Sequence, residues 1–420
     1  MFARWPLTIR GTGALVLAGA CVVLAQRFGL AELLYLAILL VTLVGASIAT
    51  LYLARSTEKV TRSFEPDVVA VGDDVTVRMR VDVRAALPSA QGRWADTVPA
   101  GLRGDGTGTV PATTSGIRSR GGAVELAYRA VAERRGIHPV GPLAIVSIDP
   151  FGLARRRRLV GRPSSLTVTP AAVELGPLVD QPGEDGGGTH AAADRLGQGA
   201  DNLIPRHYTP GDSMRRIHWR ASAHRDQLMV RQEEQETTPE AIVVLDRSAA
   251  HWSMDAVRAP GADAGFEVAV SACLSVAAQL VAEGYLVSVI DGDGAALCDP
   301  LDGGDLAGVE RLAIDLAGVR ARREGSLGGL LPALGGGSTG PLVVITGAIR
   351  IEEADGLAPV VHHSALPVLI AVAPHLELTR AGALARAAAS GWRTAVAPVD
   401  GDLAAAWHDA VDRGIRHVGV

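Results

Sequence analysis

Two uncharged apolar runs near the N-terminus restrict this chain more than any other feature of it. Gly11 to Ala25 is mostly apolar, and Leu33 to Ala54 carries no charge at all. A helix rises ~1.5 Å per residue, so about 20 such residues cross the ~30 Å hydrocarbon core of a bilayer. The second run is long enough; the first is marginal and draws on its flanks. Arg4 and Arg10 precede the first run, and Arg55, Lys59 and Arg62 follow the second. Only Arg27, opposed by Glu32, lies in the turn between them. The positive-inside bias therefore predicts a multi-pass hairpin in the plasma membrane, with both termini and the soluble domains cytoplasmic. A cleaved signal peptide is the competing reading. It is the weaker one, because the stronger span comes second and would still anchor the chain.

Behind the hairpin, a chain of 420 residues leaves room for two or three domains. A net charge of −5 argues against a nucleic-acid binder, which normally carries a basic excess. Aromatics at 4% advertise no aromatic-lined pocket, so neither a small-molecule substrate nor a cofactor is signalled. Lys59 is the single lysine, so the abundance of Arg reflects base-composition bias more than function. Cys21, Cys273 and Cys298 form no disulfide or metal-type spacing.

Residues 1–55 are thus assigned to the transmembrane hairpin and 56–175 to a β-sandwich-like domain. The stretch Val68 to Val83 predicts two strands around a Gly-Asp turn, the second alternating apolar and polar residues. Val124 to Val131 and Leu143 to Ile148 add further short strands, as a sandwich requires. The basic run Arg155 to Arg158, beside Phe151-Gly152-Leu153, reads as a solvated strand edge or, more sharply, as a contact for anionic lipid. Residues 176–238 hold a Gly-rich linker, Gln181 to Gly188, and a distinctive motif. From 239 to 420, apolar strands alternate with amphipathic helices, predicting an α/β domain with a mainly parallel sheet. Its ligand-prone edge lies where strands end, which includes Asp246 and Asp291.

The distinctive motif runs from Arg206 to His224. Pro210-Gly211-Asp212 forms a turn, and Asp212 or Ser213 caps a short helix. Ile217 and Trp219 are expected to anchor that helix in the core, with Arg215, Arg216, Arg220 and Arg225 as a basic flank. Tyr208-x-x-Gly211-Asp212, then Arg215-x-Ile217-His218-Trp219 and the Ala221-Ser222-Ala223 step, resembles the bacterial domain of unknown function 58 family. The Asp149-Pro150-Phe151-Gly152-Leu153 turn, Arg135-Gly136 and the two-helix start fit the same resemblance. It implies a von Willebrand factor A-like last domain and, as partner, a MoxR-type AAA+ ATPase.

Such a domain can hold a divalent cation through Asp-x-Ser-x-Ser at the end of its first strand, completed by a Thr and an Asp from later loops. Here the first element is Asp246-Arg247-Ser248-Ala249-Ala250, and Thr346-Gly347-Ala348 stands where the later Asp would fall. With two oxygen ligands missing, Asp246 and Ser248 are expected to be a degenerate, non-functional metal pair. His218 lacks a recognisable nucleophile, since Ser222 sits outside any Gly-x-Ser-x-Gly elbow. The sequence therefore predicts a non-catalytic, membrane-anchored scaffold or adaptor without a cofactor, its motif docking a protein partner. The alternatives are a cation-dependent ligand binder and a hydrolase using His218.

Overall fold

The computed structural model describes residues 5–53, 56–85, 92–110, 122–178, 203–207, 217, 219–225, 227–233, 239–334, 339–373 and 378–412. These fall into two compact units. One comprises Met1–Ala172, Ser253–Glu267 and Ala313–Arg320, and the other Val173–Trp252, Val268–Leu312 and Ala321–Val420.

The first unit begins with helix α1, Ile9–Phe28, and helix α2, Ala31–Leu53. Thr8 caps α1 by accepting the Gly11 N–H at 3.1 Å, and Gly29 ends it in the left-handed region at φ 71°, a conformation glycine adopts without steric cost. Both helices are long and apolar enough to cross a membrane, and only 17% of the most apolar stretch of each is buried in protein. Ala264–Ala282 also meets the length and apolarity needed, but 61% of it is buried, which makes it a core helix. The helices of the hairpin meet through the small residues Ala18, Cys21 and Ala37.

The β-region of this unit contains strands β1 (Ser56–Glu65), β2 (Val68–Ala70), β3 (Asp74–Ala85), β4 (Gly92–Asp96), β5 (Leu102–Gly104) and β6 (Thr107–Val110). It continues with β7 (Gly122–Ala132), β8 (Gly136–Val140), β9 (Leu143–Ile148), β10 (Arg155–Val160) and β11 (Ser164–Thr169). Two four-stranded sheets, β1-β3-β7-β5 and β10-β9-β4-β6, and the three-stranded β2-β11-β8 enclose one core of Val75, Val77, Met79, Trp94, Leu126, Tyr128, Leu143 and Leu166 among others. The Gly-Asp turn after β2 does not make a hairpin: β2 pairs with β11 and β3 with β1 and β7. Arg62, counted as a membrane-flanking charge in the sequence, is instead buried at 2.7 Å from Asp96, which also accepts the Tyr128 hydroxyl at 3.0 Å.

In the second unit, β12 (Leu203–His207) pairs antiparallel with β13 (Met229–Glu233). Strands β14 (Glu240–Leu245), β15 (Leu286–Asp291), β16 (Thr339–Thr346), β17 (Ser364–Ala373) and β18 (Arg393–Pro398) form a sheet in the order β15-β14-β16-β17-β18, parallel throughout. This is the α/β form with a parallel sheet that the sequence predicts. Val243, Val244, Val343, Val344, Leu369 and Ile370 are inaccessible to solvent, as expected of a sheet covered on both faces.

Candidate functional site

Parallel register brings three polar residues to the carboxyl edge of this sheet. Leu245 pairs with Asp291 on one side and with Ile345 on the other, so Asp246, Asp291 and Thr346 end three adjacent strands. Asp246 is 1% exposed. Its Oδ1 accepts the Ser248 N–H at 2.8 Å, and its Oδ2 accepts the Thr346 hydroxyl at 2.5 Å and His251 Nδ1. Trp252 Nε1 donates to the Asp246 carbonyl at 2.9 Å. The other ring nitrogen, His251 Nε2, lies 3.0 Å from Glu353 Oε1 at an angle outside hydrogen-bond geometry, so that contact is an ion pair. Glu353 occupies the first turn of the helix Ile351–Leu357, where it accepts the Arg350 backbone N–H at 2.8 Å and Arg350 Nη2 at 2.9 Å.

The imidazole therefore stands between two carboxylates. Burial pushes His251 down, but the hydrogen bond and charge of Asp246, then the interaction with Glu353, outweigh it and lift the group from 6.5 to about 8. Burial likewise pushes Glu353 up, and the Arg350 and His251 contacts more than reverse this, holding it at about 2. A histidine raised on folding stabilises the native state fully below its unfolded pKa, and this contribution is lost as pH rises through the folded value. His251 should thus contribute roughly 2 kcal/mol at pH 6 that disappears above about pH 8, at ~1.4 kcal/mol per pKa unit. Thermal unfolding of the wild type and His251→Asn across pH 6 to 9 checks this: only the wild type should lose stability in that window, and parallel profiles would sink the assignment.

The residues here do not fit a divalent cation. Asp246 already receives three donors, and the position beside it holds an imidazole that is itself the local cation. Ala250 supplies no side-chain oxygen, and Ser248 Oγ accepts the Ala250 N–H at 3.4 Å. A side chain at Gly347 would place its Cβ 2.2 Å from the His251 carbonyl oxygen, so an Asp could not be accommodated there without moving the loop. Nor is His251 placed as a general base, since both ring nitrogens face carboxylates rather than a nucleophile. Asp291 Oδ2 lies 3.4 Å from both Arg247 Nη1 and Arg322 Nη1.

Sequence reasoning reached Asp246 and Ser248, and the structure joins them through the Ser248 N–H. It missed His251 and Glu353, which carry no local signal; Thr346 was within reach, because it ends the neighbouring strand. Of the motif residues, Tyr208, Gly211, Asp212, Arg216 and His218 lie outside the described residues, as does the Arg220 side chain. Ile217 is buried, whereas Trp219 opens the helix Trp219–Arg225 and is 69% exposed. The expectation that Trp219 anchors the core is therefore corrected: Ile217 alone of the pair points inward. The Ser222 hydroxyl accepts the Met229 N–H at 2.8 Å, tying that helix to β13.

Residues 205–333 match a family model described as "Protein of unknown function DUF58". No curated protein matches the chain. Among solved structures, a von Willebrand factor type A protein from Catenulispora acidiphila is similar at 12% identity with a TM-score of 0.28, over 44% of this chain and 42% of that one. The chain thus spans less than half the length of that neighbour. The CARDB domain of a Pyrococcus furiosus protein, in complex with di-metal ions, is similar at 11% identity with a TM-score of 0.17, over 27% of this chain and 88% of that one.

Proposed function

We propose that this chain is a membrane-anchored, metal-independent adaptor whose von Willebrand factor A-like unit presents a docking surface to a protein partner. The observation that carries this reading is Trp219, a large indole left 69% exposed inside the family-matched segment. Tryptophan and arginine are the residues that most often dominate protein–protein binding energy, and the motif supplies both in Arg215, Arg216, Trp219 and Arg220. The basic flank suits an acidic partner surface. A MoxR-type AAA+ ATPase is the partner that the family resemblance implies, and the Arg distribution around the spans favours a cytoplasmic location for the soluble units. Asp246 then serves architecture: it ties the end of β14 to β16 and to the loop carrying His251.

Binding of the detergent-solubilised full chain to a purified MoxR-type ATPase from the same cell tests this directly. Trp219→Ala should leave stability within about 0.5 kcal/mol, as exposed substitutions do. It should weaken binding about 30-fold or more, equivalent to ~2 kcal/mol for an interface hot spot. Raised salt should weaken the wild type as well, through screening of the Arg flank. Unchanged binding by Trp219→Ala would remove the docking role; turnover of any substrate abolished by His218→Ala would replace it with an enzymatic one.

A further inference from the structure

We propose that the turn between β9 and β10, together with the basic face of β10, forms a binding site for anionic phospholipid headgroups. The proposal rests on the hairpin's residence in a bilayer, and it concerns what the adjoining β-region does there.

The turn is bound to the hairpin where α1 begins and α2 ends. The Thr8 hydroxyl donates to the Gly152 carbonyl at 2.6 Å, and the Thr8 N–H donates to the Leu153 carbonyl at 2.9 Å. Leu7 pairs with Ala154 as an antiparallel bridge, and the Arg155 N–H donates to the Pro6 carbonyl at 2.7 Å. Leu153 packs against Leu7 and Val44, with Ala14, Leu43 and Ile48 alongside. Thr8 precedes α1 and Leu51 lies in the last turn of α2, so a bilayer crossed by both helices would have its headgroup layer beside this turn. Arg156 fixes the other end: its Nη1 donates to the Leu51 carbonyl at 2.8 Å, and its guanidinium lies 4.6 Å from the centre of the Tyr52 ring.

With the strand so held, its charges would lie in that headgroup layer. Successive strand residues face opposite ways, so Arg155, Arg157 and Leu159 share one face, and all three are exposed. Trp5, 56% exposed, is an amphipathic ring of the kind enriched at membrane interfaces, and Phe151 at the tip, 55% exposed, adds an apolar one. The exposed Arg10 points its guanidinium at Gly152, adding a further cation beside the turn. Between Arg134 and Val173 the only acidic residue is Asp149. Its carboxylate is buried, accepting the Phe151 N–H at 2.9 Å and also the Ala154 N–H, so it shapes the turn and does not face the lipid. A cationic face with an aromatic tip, continuous with a membrane hairpin, matches a surface of negative charge above hydrocarbon. Each Lys or Arg at such a surface contributes about 1 kcal/mol on anionic lipid, roughly a fivefold preference.

Reconstitution of the full chain with spin-labelled phosphatidylglycerol or phosphatidylcholine tests the site by the fraction of each lipid immobilised. The wild type should enrich phosphatidylglycerol several-fold over phosphatidylcholine, and half-molar salt should reduce the preference. Arg155→Gln with Arg157→Gln should bring the ratio close to one, while Arg103→Gln with Arg129→Gln, on the other four-stranded sheet, should leave it at the wild-type value. If the double variant fails to fold by circular dichroism, Arg157→Gln alone supplies the reading. Equal immobilisation of the two lipids by the wild type, or an unchanged preference in the Arg155/Arg157 variant, would overturn the headgroup site while leaving the anchor in place. Immobilisation of neither lipid, together with release by alkaline carbonate, would overturn the anchor and the site with it.

Discussion

Asp246→Ala is expected to destabilise the chain by about 3–5 kcal/mol, the cost of stranding a buried charge without its partner. The substitution would leave the Ser248 N–H and the Thr346 hydroxyl as buried donors without their acceptor, each worth roughly 1–3 kcal/mol. His251 would keep only Glu353 as a counter-charge. Asp246→Asn should cost less, because an amide oxygen can still accept one of the three donors. A carboxylate kept for a divalent cation behaves in the opposite way. Without metal it sits among other oxygen ligands that repel it, so its removal is neutral or stabilising, and added metal stabilises the wild type by ~2.7 kcal/mol at 100-fold above Kd. Chemical unfolding in detergent with EDTA, with millimolar Mg²⁺ and with millimolar Ca²⁺ separates the two cases. Coincident wild-type curves and a large loss in Asp246→Ala support a structural aspartate; a metal-dependent shift abolished by the substitution would restore the cation-dependent binder.

The two classes of element were unequally legible in the sequence, for physical reasons. A strand buried on both faces has to be apolar along its whole length, so the runs Ala241 to Asp246, Tyr285 to Ile290 and Val368 to Val372 exposed β14, β15 and β17 directly. The apolar run Leu342 to Thr346 begins three residues inside β16, because the small and polar start of that strand at Thr339 carries no hydrophobic signal. The membrane helices were legible for the same reason of continuous apolarity, and α1 extends past the predicted Gly11 to Ala25 because Thr8 caps it at Ile9. Pairings across long sequence separation left no such trace. Asp246 meets Thr346 only through strand register, and Arg62 meets Asp96 only once two sheets have closed over them. Trp219 was misjudged on residue type alone: an indole in an otherwise polar, Arg-rich segment has no apolar periodicity to carry it inward, and the structure leaves it exposed.

Arg135→Met should be as costly as Asp246→Ala, about 3–5 kcal/mol, and it probes the first unit. The Arg135 side chain is wholly buried. Its Nε and Nη2 bind the two carboxylate oxygens of Glu267 at 2.6 and 2.7 Å, a planar fork that a lysine cannot reproduce. The remaining arm, Nη1, donates to the carbonyls of Leu316 and Ala317, which end the helix Leu306–Ala317 and have no acceptor-satisfying partner further along it. The Phe266 ring lies 5.9 Å from the guanidinium carbon. Methionine fills the space but leaves Glu267 with the Gly261 N–H at 2.9 Å and takes the Arg135 donor from the Ala317 carbonyl, while the Leu316 carbonyl keeps the Val319 N–H at 3.1 Å. Arg135→Lys should recover only part of the loss. The decisive variant is Arg135→Met combined with Glu267→Met: because much of the single-variant cost is the half-buried Glu267 carboxylate left without its counter-charge, the pair should be more stable than Arg135→Met by itself. Hydrogen exchange of peptides spanning residues 122–140 and 255–267 localises the effect to the first unit, where a whole-chain midpoint would mix two units. Protection in Arg135→Met within about 1 kcal/mol of wild type, or a double variant worse than the single by the full cost of a second loss, would show that the fork contributes little and that apolar packing around Phe266 holds this region together.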